Sequence, residues 1–146
     1  MRASSAILVA AAVGTLRLLQ AERHSKRQLA LKAAELHQAY CRDTAADQAL
    51  SGEWADADVT AEQAAKYIHA NRLLSFLSVK YRVGLLNDHT LRVQARSAMA
   101  RDSIREYWGK FGSFREMEAK DRTDRKFNEI MSGEFHLIES RETAAA

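Results

Sequence analysis

Proline is missing from all 146 residues. With no residue that locks φ and removes a backbone donor, nothing forces a helix to stop, so helices can run long. Cysteine occurs once, at Cys41, which excludes an internal disulfide framework and any zinc site built from several cysteines. The six glycines form no phosphate-binding loop, no dinucleotide fingerprint and no Gly-x-Ser-x-Gly elbow. No Glu-x-x-His pair occurs either, so the di-iron bundle pattern is missing.

What is present is ordinary globular composition, 47% hydrophobic and 28% charged, on a 16.4 kDa chain of single-domain size. A core is attainable at this length without metal or disulfides. The net charge of +3 is segregated. Residues 1–32 carry six Lys/Arg and one acid, and 33–70 carry two bases and seven acids. Residues 71–110 hold eight bases and three acids, and 111–146 hold six against eight. Alternation of this kind suits a fold in which opposite stretches meet. It differs from the one-sided basic load of a nucleic-acid binder, despite a pI near 9.2.

Ala3 to Leu16 is free of charge, and Leu18 and Leu19 follow Arg17. Extended to Gln20, such a helix spans about 27 Å, close to the roughly 30 Å hydrocarbon core of a bilayer. Ala10-Ala11-Ala12 sits too early for a signal-peptide cleavage site. Arg17, Arg23, Lys26, Arg27 and Lys32 follow the segment, whereas Arg2 alone precedes it. The expectation is a membrane anchor over residues 1–20, inserted through 3–20 as a single pass of the cell membrane. The positive-inside rule then places the body, 21–146, on the cytoplasmic side. The competing reading is an Ala-rich helix buried in the protein.

The fold expected is all-α: an N-terminal apolar and stalk helix, then a compact bundle of about four to five helices. Leu29, Ala33, Leu36 and Tyr40 form a narrow stalk seam. Asp43 offers an end, and 43–59 reads as acidic and irregular, with Leu50 and Trp54 as its core contacts. Thr60-Ala61-Glu62-Gln63 is a capping box opening a central helix with Ala64, Tyr67, Ile68, Leu73, Leu74, Leu77 and Tyr81 on its apolar face. Gly84 supplies its C-terminal cap. Asn87 or Asp88 starts a helix carrying Leu91, Val93, Ala95 and Met99. Asp102 caps another with Ile104, Tyr107, Trp108 and Phe111, ending near Gly112. Ser113-Phe114-Arg115-Glu116 reads as a second capping box, before a final helix with Phe127, Ile130, Met131, Phe135 and Ile138.

Little in the chain nominates chemistry. His37 and Cys41 lie one turn apart, but spacing supplies no further ligands, so neither metal nor cofactor is expected. Asp43 and Asp47 make the surroundings of Cys41 acidic, the wrong setting for a thiolate nucleophile. Arg92, Arg96, Arg101 and Arg105 form a basic face, read as solvated or paired with the acidic 43–58 stretch; nucleic acid is the alternative partner. Asn71 and Arg72 interrupt an apolar run and Arg115 follows a Trp-bearing helix, so these three are read as an internal polar network or a pocket lining. Asn71, Arg72, Trp108 and Arg115 are the candidate binding residues, with Trp108 itself read as a core anchor.

The order of features also resembles a known pattern. It runs from the apolar segment through the stretch Leu31 to Gln38 and Glu53-Trp54. Ala70-Asn71-Arg72-x-x-x-Phe76-x-Ser78, Arg82-x-Gly84, Tyr107-Trp108-x-x-Phe111, Arg115 and Phe127 follow. The chain is similar to a family of small uncharacterised actinomycete proteins, a domain of unknown function. That resemblance implies an N-terminal membrane segment and a helical cytoplasmic body, and it implies no activity. The reading favoured is a non-enzymatic, membrane-tethered module that meets an unidentified protein partner. The runner-up is a soluble nucleic-acid-binding or regulatory protein using Arg92 to Arg105.

Overall fold

The computed structural model describes the backbone of residues 2–53 and 58–145 and the side chains of 11–47, 49–53 and 58–144. The described residues form helices only: α1 (Arg2–Ala46), α2 (Gln48–Glu53), α3 (Ala61–Arg82), α4 (Asp88–Met99), α5 (Asp102–Met117) and α6 (Arg122–Ala145).

Helix α1 joins the apolar segment and the stalk without a break, as a chain lacking proline permits. Its surface carries local pairs, Lys26 to Glu22 at 2.6 Å and Lys32 to Glu35 at 2.9 Å, of the kind that weakly supports an exposed helix. Near its C-terminus α1 packs on α2 and α3. The contact stripe is not the one expected. Leu29, Leu36 and Tyr40 are 68%, 63% and 55% exposed, and Ala33 is exposed with them. Ala34, His37, Gln38, Cys41 and Thr44 turn inward instead. Small and polar side chains let the two helix backbones approach, and the bulky leucines are left outside.

The acidic stretch is more regular than its composition suggests. Asp47 Oδ1 accepts from the amides of Ala49 and Leu50 at 2.8 and 3.3 Å, which satisfies the first donors of α2. Buried Ser51 donates to the carbonyl of Thr44 at 2.8 Å, closing the α1–α2 corner. Leu50 is 41% exposed and makes no core anchor, and Trp54 lies outside the described residues.

Helix α3 is the central element. Thr60 accepts from the Gln63 amide at 3.2 Å, but the Gln63 side chain reaches to Glu106, so half of the expected capping box forms. Ala64, Ile68, Ala70, Leu74 and Leu77 are buried. At the other end Gly84 adopts φ +84°. Gly84 N–H donates to Tyr81 O and Leu85 N–H to Lys80 O, a complete Schellman motif that returns the chain toward α4. Asn87 then caps α4 in a reciprocal box with Thr90.

The core lies among α3, α4, α5 and α6, where Leu74, Leu91, Met99, Ile104, Trp108, Phe127, Ile130 and Met131 are each no more than 3% exposed. Val93 faces solvent at 58% exposure, and Ala98 takes the inward position expected of it. Asp102 is the first residue of α5 and makes no cap, which leaves Arg101 at the N-cap without a side-chain bond. Gly112 does not end α5. The helix continues to Met117 through Ser113, so no second capping box exists. Asp121 stands just before α6, and its Oδ1 accepts from the Asp124 amide at 3.0 Å. Arg82, at the end of α3, pairs with both Asp121 and Asp124 and fastens the two helix ends together.

Candidate functional site

Between the C-terminal part of α1, α3 and α5 lies a cleft of about 540 Å³. Helix periodicity builds its walls. Tyr107, Phe111, Phe114 and Arg115 recur at four, three and one along α5, one face of a 3.6-residue repeat. Ala64, Tyr67, Ile68, Asn71 and Ser75 do the same on α3, and Cys41 and Thr44 close the side toward α1. Tyr67 sets its ring edge-on to Phe111, with centroids 5.7 Å apart and planes at 83°. Lys110 lies over both rings, at 5.7 Å from Tyr67 and 5.6 Å from Phe111.

One end of this apolar cleft is polar. Arg115 Nη2 donates to Asn71 Oδ1 at 2.7 Å and to Ser75 Oγ at 3.0 Å, and the Tyr107 hydroxyl donates to the same Asn71 oxygen at 3.0 Å. The guanidinium stands 6.0 Å from the Tyr107 ring centroid. Its Nε is buried with no hydrogen-bond partner. Every partner of this guanidinium is neutral, and among the described residues no carboxylate is paired with it. The Arg115 carbonyl accepts from Asn128 Nδ2 at 2.9 Å, which ties the residue's backbone to α6.

Of the expected network, Asn71 and Arg115 do meet. Arg72 does not join them. One residue along a helix rotates the side chain by about 100°, so Arg72 faces α1, where its Nε donates to Gln38 Oε1 at 2.7 Å. Gln38 Nε2 returns a bond to the Arg72 carbonyl at 2.7 Å. Trp108 is turned away from the cleft for the same reason; it is 3% exposed and belongs to the core. Ser75, the Tyr107 hydroxyl and the α1 wall were not singled out from sequence. The spacing of four from Asn71 to Ser75 was the available signal.

His37 and Cys41 do face one another, with Nε2 and Sγ 3.4 Å apart. Burial pushes the Cys41 thiol up, and the charge of Arg72 only partly counters it. The group is therefore a neutral thiol, the inert state of cysteine. Among the described residues no group of three or more His, Cys, Asp or Glu side chains is arranged to hold a metal ion.

The basic face divides. Arg96 pairs with buried Glu134 at 2.9 Å. Arg105 bonds the Met99 carbonyl at 2.9 Å and pairs with Asp102 and Glu142 at 2.6 and 3.1 Å. Arg92 and Arg101 are exposed. The paired acids thus sit on α5 and α6, and among the described residues none of the four pairs with an acid of the 43–58 stretch.

The membrane segment is a different matter. Residues 3–10 lie outside the described side chains, and among the described residues no helix is long and apolar enough to cross a membrane. From residue 11 to 29 every side chain of α1 is exposed. Val13, Leu16, Leu18 and Leu19 are 44%, 66%, 74% and 48% exposed.

The chain belongs to a family whose description is Family of unknown function (DUF6082), which matches residues 1–146. No curated protein and no solved structure matches it.

Proposed function

We propose that this member of the family is a non-enzymatic helical module, tethered to the cytoplasmic face of the cell membrane through residues 3–20, with α1 as the stalk that presents the bundle to a protein partner. One observation carries the reading: the first part of α1 is a bare helix, unpacked from residue 11 to 29, that exposes four large apolar side chains between Val13 and Leu19. An isolated helix is marginal in water. The same helix in a bilayer keeps every backbone bond within itself, and burying each leucine is worth about 1.5–3 kcal/mol. Thr15 Oγ1 already donates to the Ala11 carbonyl at 2.9 Å, so its hydroxyl needs no water. The bases at 17, 23, 26, 27 and 32 suit an anionic inner leaflet, at about 1 kcal/mol for each one near the surface.

No observation favours nucleic acid, since Arg96 and Arg105 are engaged within the bundle. Fractionation of cells expressing the full chain tests the proposal. The intact protein sediments with membranes and resists high-salt extraction, and deletion of 1–20 releases it. Recovery of the intact chain in the soluble fraction overturns the tether.

A further inference from the structure

A guanidinium keeps its charge in any protein setting, and a buried charge is costly unless an opposite charge meets it. Arg82, Arg96 and Arg105 each hold a carboxylate. Arg115 breaks this rule. Its Nη2 rests on two neutral oxygens and its Nε is buried and unbonded, while the group lines an apolar cleft of about 540 Å³. Glu118, the C-cap of α5, lines the same cleft, but it is exposed and forms no ion pair with Arg115. The volume falls within the range of small-molecule sites, which combine apolar walls with a few fixed polar groups.

We infer that the cleft binds a free amphiphilic monocarboxylate, its carboxylate on the Arg115 guanidinium and its apolar body along Tyr67, Ile68, Phe111 and Phe114. A carboxylate is the oxygen acceptor of opposite charge, and because Asn71 and Ser75 take both Nη2 hydrogens it meets the guanidinium at Nη1. Ser75 holds the guanidinium directly and the Tyr107 hydroxyl holds it through Asn71, so the cation is fixed in place before the ligand arrives. The apolar walls reject a small, fully hydrated anion, which gains nothing from them. Cys41 and Thr44 form the α1 side of the same volume, so the apolar body lies against the base of the stalk.

Titration calorimetry of the full chain with decanoate, below its aggregation concentration, tests the inference, with decanol as the neutral probe of equal length. Decanoate saturates a single site per chain. Decanol binds at least about tenfold more weakly, and R115Q binds decanoate no better than the parent binds decanol. Circular dichroism establishes that R115Q is folded; should it not fold, the decanoate-to-decanol ratio on the parent decides alone. Absence of saturable decanoate binding overturns the inference, as does decanol binding as tightly. Uptake by the exposed leucines of α1 is recognised as non-saturable and indifferent to R115Q, and that outcome overturns it too.

Discussion

Two glycines in neighbouring helices give opposite answers to the same substitution. In a helix interior, Gly→Ala gains about 1 kcal/mol because alanine loses less backbone freedom on folding. At Gly133 in α6 an added Cβ meets nothing within 4 Å, so Gly133→Ala keeps that whole gain. At Gly112 in α5 the added Cβ stands 3.0 Å from Trp108 Nε1, 3.1 Å from Cε2 and 3.2 Å from Cδ1. The indole must retreat, yet it is 3% exposed and shut in by the core that includes Ile104 and Phe127. Overpacking of this sort costs about 1–3 kcal/mol, which outweighs the helix term and leaves Gly112→Ala destabilised by about 1 kcal/mol. The two variants then differ by about 2 kcal/mol, a gap of about 4–8 °C in Tm for a chain of this size. Thermal unfolding followed by far-ultraviolet circular dichroism measures it. If Gly112→Ala raises Tm as much as Gly133→Ala does, the ring has room to move and the packing argument for Trp108 fails.

Two further predictions concern charge. Arg92→Gln leaves denaturant stability within about 0.5 kcal/mol of the parent, as at other exposed sites. Arg96→Gln lowers stability by more than Arg92→Gln does, because it strands the buried Glu134 carboxylate; equal effects of the two substitutions would refute the assignment. Arg82 holds the Asp121 carboxyl down to about 2, from an ordinary 3.8. A carboxyl lowered by folding contributes stability that is complete above 3.8 and is lost as pH falls toward 2. Asp121 is half exposed, so screening keeps the contribution small. Acid titration of stability should therefore flatten in that window for Asp121→Asn, and an unchanged profile would refute the pairing.

The bundle was legible wherever a local signal had a local cause. Thr60 and Gly84 bound α3 because one offers a hydroxyl to a free amide and the other accepts φ +84°. The stalk seam was misread because apolarity was taken as the guide to contact. Leu29, Leu36 and Tyr40 are more apolar than His37, Gln38 and Thr44, but the close approach of α1 to α3 selects for reach and hydrogen bonding, as the Gln38–Arg72 exchange shows. Gly112 was misread for a related reason. A glycine can end a helix or make room for a ring, and the choice depends on where the indole of Trp108, one turn earlier, comes to lie.

The cleft was half legible. Asn71 and Arg115 stood out as polar groups on apolar faces, and burial requires such groups to find partners. Their partner Tyr107 was hidden among the aromatics, since its ring joins the core cluster while its hydroxyl serves Asn71. Arg72 and Trp108 were drawn into the candidate set by adjacency in sequence, which on a helix means turning away. What no sequence pattern could supply is the difference between Arg96 and Arg115. Both are helical arginines one or two turns from aromatic or apolar neighbours. One meets Glu134 across 38 residues of chain and is neutralised; the other crosses 44 residues to Asn71 and is not. That contrast appears only when α3, α4, α5 and α6 are brought together, and it separates a structural ion pair from a cation left for a ligand to satisfy.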